Sequence, residues 1–349
     1  MALFKNMKIK IIGSGSAGNH MAYAFKNKAS ITMTDNSKSA LNRSKKKIYI
    51  PRYKVWDKNI TLELERNENN KHDCIIISTP PNTHLKVIKK NLNQSDIFLI
   101  EKPICEPNKK TIATFQKIFK KNRSKIFLCG YNHRLFPSTL KLKEILKKNK
   151  KKINYINVNF KESTEGFLKA HNWFKDLSDS YLSKQNLGGG ALFEHSHALN
   201  LAEYILEDSI FKTIFSDIEY HKNRKNSYDS NASLIFNNNE IVVEICQNFQ
   251  TLPTEKNIII NGENFFLKLI YNYEQNNDLL IYINNKKKIK KKIFYFKKKR
   301  SDDFRYEADY LIKLFKEKNK KIKNKLSAIL NAENGITTVK NILNILKKN

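Results

Sequence analysis

Glycine is scarce in this chain, and its positions constrain the fold more than any other feature of the sequence. Only ten of the 349 residues are glycine, and six of these lie in two clusters, at 13–18 and 188–190. The first cluster, GSGSAG, follows the apolar run KIKII and precedes a stretch with helical periodicity. In such a turn Gly13 permits the tight bend, Gly15 allows close approach of a pyrophosphate, and Gly18 lets helix and strand pack closely. The segment therefore predicts a dinucleotide-binding loop.

The rest of the first 130 residues repeats this alternation of strand and helix, which is typical of a parallel sheet. Predicted strands are 8–12, 30–34, 74–78, 97–100 and 125–129, with helices at 17–28, 82–93 and 108–122. After Gly130 the pattern changes to helices at 138–148 and 191–206 and to strand-like runs from 154 to 160 and from 211 to 296. Asn-rich turns separate several of these runs and indicate hairpins, hence an antiparallel or mixed sheet. Helices at 302–316 and 332–347 close the chain.

The end of the second strand bears on the choice of dinucleotide. Asp35 lies 17 residues after Gly18, near the spacing expected of a carboxylate that holds the ribose hydroxyls. It favours NAD, because it would repel a 2′-phosphate. Ser37, Lys38 and Arg43 follow at once and could hold that phosphate, so NADP stays open. Ser16 and Ala17, at the start of the helix, complete the predicted phosphate cradle.

Two further strands end in polar motifs at the edge where open α/β sheets bind ligands. The first is Ser78-Thr79-Pro80-Pro81-Asn82-Thr83-His84, and the second is Glu101-Lys102-Pro103. A lysine at a strand's carboxyl end can polarise a reacting oxygen and relay its proton. We therefore expect Lys102 to be catalytic. The cofactor-binding residues expected from both motifs are Ser78, Thr79, Pro80, Asn82, His84, Glu101 and Lys102.

The net charge of +32 raises the question of nucleic-acid or membrane binding. Lysines are spread along the whole chain instead of forming one patch, which disfavours a nucleic-acid partner. No stretch reaches the ~18 apolar residues of a membrane span. The four cysteines are far apart and form no CxxC pair, which favours free thiols in a reducing cytoplasm and predicts no metal site.

In their order along the chain, these motifs resemble the glucose–fructose oxidoreductase / inositol dehydrogenase (Gfo/Idh/MocA) family. The motifs are GxGxxG, STPPNTH, Glu101-Lys102-Pro103, Gly130-Tyr131-Asn132-His133-Arg134, and GGG followed by Glu194-x-Ser196-His197. The resemblance implies a Rossmann domain (1–130) and a C-terminal α/β domain (131–349) with a large open, mostly antiparallel sheet. It allows the last helix to pack back on the first domain. It also implies homodimers or homotetramers formed through the C-terminal sheet.

By the same resemblance, Lys102 and His197 match the catalytic lysine and histidine, and Glu194 stands where the family usually has aspartate. Glu194 precedes His197 by three residues instead of four, so His195 is a rival for the acid/base. Residues three apart on one helix share a face, which would still let Glu194 and His197 converge. Three successive glycines before this helix favour close approach of ligand or backbone over a flexible hinge. Expected substrate contacts are Tyr131, Asn132, Arg134, Trp173 and His197.

The sequence thus predicts an NAD(P)-dependent oxidoreductase. It would move a hydride between nicotinamide and a hydroxyl or keto carbon of a sugar, cyclitol or nucleotide-sugar, with surface-polysaccharide sugars favoured by the motif variants. Two alternatives stay open. One is a non-catalytic dinucleotide-binding sensor or structural subunit on the same fold, and the other is a lyase or glycosidase that uses NAD without net redox change.

Overall fold

A computed structural model describes residues 7–66, 70–149, 152–171, 173–207, 211–222, 227–274, 277–286, 288–299 and 301–348. The chain forms two compact units. The first comprises Met1–Asn132 and Ser301–Ile336, and the second His133–Arg300 and Thr337–Asn349. Residues 301–336 thus group with the first unit, whereas the sequence analysis placed them in the second domain.

The N-terminal part of the first unit alternates strand and helix, as the sequence predicts. Its elements are β1 (Lys8–Ile12), α1 (Ser16–Ala24), β2 (Ser30–Asp35), α2 (Lys38–Arg43), α3 (Ile50–Tyr53), β3 (Ile60–Leu64), β4 (Cys74–Ile77), α4 (His84–Asn91), β5 (Ile97–Ile100), α5 (Lys109–Lys121) and β6 (Ile126–Cys129). A π-helical turn, Ser44–Tyr49, links α2 to α3. The sequence analysis did not anticipate α2, α3 or β3, because this segment lacks a clear apolar period.

The second unit contains one helix before its sheet and three between the first and second strands of that sheet. Its elements are α6 (Pro137–Asn149), β7 (Ile153–Lys161), α7 (Thr164–Ala170), α8 (Ala191–Glu194), α9 (His197–Leu206), β8 (Lys212–Lys222), β9 (Ser227–Asn238), β10 (Ile241–Asn248), β11 (Glu255–Gly262), β12 (Phe265–Tyr273), β13 (Asn277–Asn284) and β14 (Lys290–Lys297). The closing helices are α10 (Asp302–Lys316), α11 (Lys320–Ser327) and α12 (Ala332–Leu346); α11 was not predicted.

The first sheet has the order β3-β2-β1-β4-β5-β6 with every pair parallel. This is the doubly wound order of dinucleotide-binding sheets. Strands β4 and β5 are buried along their whole length, as a parallel sheet covered on both faces requires. The predicted Rossmann-type sheet is confirmed. Its carboxyl edge carries the glycine loop after β1 and the motifs after β4 and β5.

The second sheet has the order β14-β13-β12-β11-β7-β10-β9-β8. Its pairs are antiparallel apart from β7 and β10, which run parallel. The predicted Asn-rich turn between β9 and β10 is a two-residue connection in which Asn239 and Glu240 both have positive φ, as a type I′ hairpin requires. The predicted open, mostly antiparallel sheet is therefore confirmed.

Candidate functional site: the glycine loop and its strand edge

The turn after β1 has the geometry of a phosphate-binding loop. Gly13 has φ +105°, and a Cβ there would lie 2.6 Å from the Ser78 carbonyl oxygen; a Cβ at Gly18 would lie 2.1 Å from the Gly13 oxygen. Only glycine fits at either position. A Cβ at Gly15, by contrast, would meet no atom within 4 Å. Open space thus faces the N-terminus of α1, where a pyrophosphate would be received by free N–H groups.

Asp35 closes β2 beside this loop. Its Oδ2 accepts hydrogen bonds from the Ser14 backbone N–H (3.0 Å) and the Ser14 hydroxyl (2.7 Å), and its Oδ1 accepts from the Ser37 N–H (3.1 Å). A carboxylate offers about four lone-pair sites, so Asp35 keeps capacity for a ribose hydroxyl. Exposed Lys38 lies close to Asp35 in the chain and could hold a 2′-phosphate. The choice between NAD and NADP therefore stays a prediction.

Arg52 is a residue of this site that the sequence analysis missed. It lies in α3, and its guanidinium donates to the hydroxyl of Ser16, the first residue of α1, over 2.8 Å. It also lies 3.2 Å from Nε2 of His20, whose Nδ1 is 2.5 Å from the Tyr53 hydroxyl. The arrangement places a permanent positive charge at the N-terminus of α1. The only signal in the sequence was the position of Arg52 between β2 and β3. The many other basic residues of the chain obscured this signal.

The loop after β4 is fixed by its own side chains. The Thr83 hydroxyl donates to the Thr79 hydroxyl (2.7 Å) and lies equally close to the Pro80 carbonyl oxygen. Asn82 is exposed, while the Ser78 hydroxyl oxygen is buried. Helix α4 begins directly after Thr83, without a side-chain cap.

His84 links this loop to the next one. Its side chain is fully buried, with Nδ1 3.1 Å from the Ile104 carbonyl oxygen and Nε2 2.6 Å from that of Thr79. Burial lowers the pKa of His84 to about 4 despite these carbonyls, so the ring is neutral near pH 7. A neutral imidazole has one N–H and so donates to only one of these two carbonyls. His84 therefore packs between the loops after β4 and β5, with both nitrogens against the backbone, instead of making the direct cofactor contact expected from the sequence.

Lys102 follows β5 at the same edge of the sheet. The Glu101 N–H donates to the Ile77 carbonyl oxygen over 2.9 Å, which extends the pairing of β4 and β5 to this point. Lys102 is partly buried and precedes a cis peptide bond to Pro103. A Cβ on Gly130 would lie 3.1 Å from Glu101 Oε2, so this glycine makes room for the glutamate. Because β1, β4 and β5 are parallel, Lys102 shares one edge with the glycine loop.

Candidate functional site: the histidine segment of the second unit

The three successive glycines serve the chain's own close contacts. A Cβ on Gly189 would lie 2.2 Å from the Tyr181 carbonyl oxygen, and one on Gly190 would lie 1.9 Å from Asp229 Oδ1. Gly190 has φ +94°, and Asp229 is buried and accepts from the Leu192 N–H over 2.6 Å. Gly188, with φ +88°, ends a short 3-10 turn. Of the predicted alternatives, close approach within the chain accounts for this segment, so it needs no hinge.

The helix predicted over 191–206 is two helices. α8 ends at Glu194 and α9 begins at His197, with His195 and Ser196 between them. The argument that Glu194 and His197 share one helical face was therefore wrong. The cause is the tight bend after the glycines, which a periodicity argument does not register. The two residues lie on either side of this break.

The two candidate histidines have different surroundings. His195 is buried, its ring packs against Phe249 at 5.3 Å, and its carbonyl accepts a hydrogen bond from the Gln247 amide. His197 is partly buried, and its ring centroid lies 4.3 Å from that of His133 and 6.0 Å from that of Phe160. Access thus favours His197 as the acid/base.

His133 lies within the GYNHR run but was not among the expected substrate contacts. Besides His197, its ring contacts Phe136 at 4.6 Å, Phe160 at 5.1 Å and Tyr271 at 5.1 Å. His133 and Phe160 thus both lie against the His197 ring, while Phe136 and Tyr271 pack against His133. A proton on one histidine would disfavour a proton on the other, because like charges repel at this distance.

Arg134 was expected to contact substrate, but its guanidinium is hydrogen-bonded within the protein. It is buried, and its guanidinium donates to the Asn200 side-chain oxygen (2.7 Å) and backbone oxygen (3.1 Å). Asn200 in turn donates to the Thr338 hydroxyl (2.9 Å), which donates to Glu203 (2.6 Å). A buried network of this kind fixes α9. Tyr131 and Asn132 are also buried, so their predicted substrate contacts remain untested.

Glu203 gives this network a pH dependence. Burial raises the pKa of Glu203 to about 7, against the opposing effects of Thr338, Asn341 and Arg134. A raised pKa in the folded state means that this contribution to stability is full below about pH 4.5 and is lost as the pH rises through about 7. We expect Glu203→Gln to be more stable than wild type by about 1–3 kcal/mol near pH 8 and nearly equal to it near pH 5, measured by urea unfolding.

The neighbouring Glu207 provides a control of opposite sign. It is mostly exposed, and its hydrogen bond with Lys143 lowers the pKa of its carboxyl group. Glu207→Gln should therefore lose any stabilising effect of this pair at neutral pH and match wild type in acid. An unfolding midpoint of Glu203→Gln that follows wild type at every pH would contradict the assignment.

Trp173 lies in a group of aromatic side chains after α7. Its ring is 4.9 Å from that of His171 and 5.5 Å from that of Phe174, and His171 stacks on Phe167 at 4.0 Å. All four side chains are partly buried. An aromatic surface of this kind suits the apolar face of a sugar ring, and the predicted substrate contact of Trp173 stays a prediction.

The geometry described so far defines a class of protein. A parallel sheet in the 3-2-1-4-5-6 order, with a glycine turn open at Gly15, is a dinucleotide-binding Rossmann domain. Among the described residues no helix is both long and apolar enough to cross a membrane, and no group of three or more potential metal ligands occurs.

Comparison with known proteins identifies a similar family. Residues 7–133 match the Gfo/Idh/MocA model, described as an oxidoreductase family with an NAD-binding Rossmann fold. Over these residues the chain is similar to that family. The resemblance drawn from the motifs and the predicted class, a nicotinamide-dependent oxidoreductase, are thereby confirmed. No curated protein matches the chain.

Solved structures share the fold over nearly the whole chain. An NAD-binding oxidoreductase from Klebsiella pneumoniae is 14% identical with a TM-score of 0.73, covering 98% of this chain and 96% of that one. A UDP-N-acetylglucosamine 3-dehydrogenase from Acidithiobacillus ferrooxidans is 14% identical with a TM-score of 0.66, covering 97% and 96%. A mutant 3-ketoreductase from Actinomadura kijaniata, in complex with TDP-benzene and NADP, is 10% identical with a TM-score of 0.70, covering 98% and 97%.

Proposed function

We propose that this protein is an NAD(P)-dependent enzyme that interconverts a hydroxyl and a keto carbon on a sugar, cyclitol or nucleotide-sugar. The observation that carries the proposal is the shared sheet edge of the first unit, where the open turn at Gly15 and the partly buried Lys102 lie together. A pure dinucleotide binder would need the turn but not the lysine. Two of the similar structures, a nucleotide-sugar dehydrogenase and a ketoreductase, support the substrate class.

Each residue of the candidate site has a proposed role in the reaction. The N–H groups at the start of α1 bind the pyrophosphate, and Asp35 binds the adenosine ribose. The Lys102 ammonium stabilises the negative charge that develops on the substrate oxygen. His197 takes the hydroxyl proton during oxidation and returns it during reduction, with Glu194 orienting it. A bound nicotinamide supplies or accepts the hydride.

The proposal extends to the cellular location, the metabolic role and the oligomeric state of the enzyme. We propose a cytoplasmic enzyme of surface-polysaccharide sugar synthesis. The four cysteines, all free and three of them buried, suit a reducing compartment. We also propose a homodimer or homotetramer formed through the second sheet, whose edge strand β14 exposes Ile293 and Tyr295. Light scattering on the purified protein would test the assembly.

The experiment that tests the function is titration with NADH and NADPH separately, followed by nicotinamide fluorescence at two salt concentrations. Saturable binding that depends weakly on salt supports the proposal, and the tighter ligand identifies the cofactor. Oxidation of a panel of nucleotide-sugars with the matching oxidised cofactor then tests turnover. Binding of neither dinucleotide would exclude the proposed function.

Arg52 offers a prediction about the cofactor site itself. Arg52→Gln should weaken dinucleotide binding about fivefold to tenfold, because it removes a charge-assisted contact at the start of α1. Turnover at saturating cofactor should stay within about twofold. Arg123→Gln, which removes an exposed arginine just after α5, is the matched control and should bind as wild type does. Equal affinities for all three proteins would remove Arg52 from the site.

A further inference from the structure

A carboxyl group lies in the first unit without the contacts that an ionised group requires. Glu307, on α10, is fully buried. Within the part of the chain that the structure describes, neither of its carboxyl oxygens has a hydrogen-bond partner. A carboxylate can only accept hydrogen bonds, and burying one without donors or counter-charge is heavily penalised. The protonated acid avoids this penalty and gains an O–H donor.

The acidic group that acts on Glu307 is Glu101, whose Oε1 is likewise buried. The field of Glu101 acts on Glu307, and burial followed by this like charge holds the pKa of Glu307 well above its ordinary value. Glu101 is fixed at the end of β5 by its backbone hydrogen bond to Ile77, and its Oε2 lies close to Gly130. Two carboxyl groups confined in this way cannot both ionise readily.

Three other charged groups on α10 have partners of their own. Asp309 pairs with Lys28 at 2.6 Å, and Asp302 pairs with Arg305 at 3.2 Å. On α1, which packs against α10, His20 stacks on Phe304 at 4.8 Å and contacts Arg52. Burial and then the charge of Glu101 are therefore the two causes that hold the pKa of Glu307 above its ordinary value.

We propose that Glu307 is a positioning residue that carries a proton at neutral pH and donates it to the Glu101 carboxylate. The pair then bears a single negative charge and holds the end of β5, from which Lys102 extends. The role for Lys102 rests on the proposed function, whereas the protonation of Glu307 does not. Because the pKa of Glu307 is raised, its stabilising effect is full at acid pH and is lost as the pH rises.

The first test needs no activity. Infrared difference spectra of wild type and Glu307→Gln near pH 7 should contain the C=O stretch of a buried carboxylic acid, present only in wild type. Asp309→Asn, which removes an exposed carboxylate from the same helix, should leave that band in place. If the Glu307→Gln difference instead contains carboxylate bands, Glu307 is ionised and the proposal fails.

The second test addresses positioning. Wild type should lose about fivefold in NADH affinity between about pH 7 and the highest pH at which it stays folded, as a second charge forms beside the sheet edge. Glu307→Gln, which can still donate to Glu101, should match wild type near pH 7 and keep its affinity at the higher pH. Glu307→Leu fills the space without a donor and should bind several-fold more weakly at both pH values.

The outcomes distinguish a failure of the positioning role of Glu307 from a failure of the proposed function. A Glu307→Leu protein that binds NADH as wild type does at both pH values would make Glu307 a mere space-filling residue and overturn the positioning role. Failure of every variant and of wild type to bind NADH or NADPH would overturn the proposed function instead, while the infrared band would still report the protonation of Glu307.

Discussion

Replacing Lys102 by methionine is expected to lower turnover about a thousandfold while dinucleotide affinity changes less than about threefold. Methionine keeps the length and apolar stem of the side chain but removes the ammonium. The loss corresponds to about 4 kcal/mol, the upper end of the effect of removing one oxyanion donor from a site that excludes water. Because Lys102 is partly buried at the end of β5, a substitution of equal length should leave the strand in place. Stopped-flow hydride transfer and fluorescence titration measure the two quantities separately.

Lys109→Met is the matched control for this prediction. Lys109 is exposed in the first turn of α5, a few residues after Pro103, so the variant removes the same charge from the same region of the chain. It should retain wild-type turnover and affinity. Full turnover by Lys102→Met with cofactor bound would disprove the mechanism, and loss of cofactor binding would make Lys102 a binding residue instead.

The first unit was the more predictable part of the fold, for a physical reason. Its central strands are buried on both faces, so continuous apolar runs such as those at 74–77 and 97–100 define them directly. The roles of Gly13 and Gly18 followed from the same logic, since any side chain there would strike the backbone. Strand β3 and the π-helical turn before it escaped prediction because their apolar residues follow no regular period.

The second unit was predictable in its hairpins but not in its site. Periodicity indicated one helix where the chain breaks at His195, because apolar residues continue on both sides of the break. Arginine is a residue type typical of binding sites. Only the tertiary contact with Asn200 reveals that the Arg134 guanidinium is already hydrogen-bonded within the protein. The same holds for Glu307, whose significance depends on a neighbour 206 positions earlier. Sequence patterns are local, and these contacts are not.

His195 lies in the break between α8 and α9, whereas His197 begins α9. Substitution of each histidine tests which of the two is the acid/base. His197→Asn is expected to lower turnover about a hundredfold or more, because the hydroxyl proton then has no acceptor of suitable pKa. For wild type, sugar oxidation should fall at acid pH, because a protonated histidine can no longer act as a base. This acidic fall should be absent in His197→Asn. Plots of kcat against pH for both proteins measure the effect.

His195→Asn separates catalysis from packing. His195 is buried against Phe249, so its replacement should lower the unfolding temperature by several degrees, at a cost of about 1–2 kcal/mol. Turnover of the folded protein should stay within about threefold, and the acidic fall in kcat should persist. The reverse result, with kcat abolished in His195→Asn and retained in His197→Asn, would transfer the acid/base role to His195. Since His133 contacts the His197 ring at 4.3 Å, His133→Phe should move the acidic fall without removing it, because the neighbouring imidazole influences the proton on His197 but does not replace it.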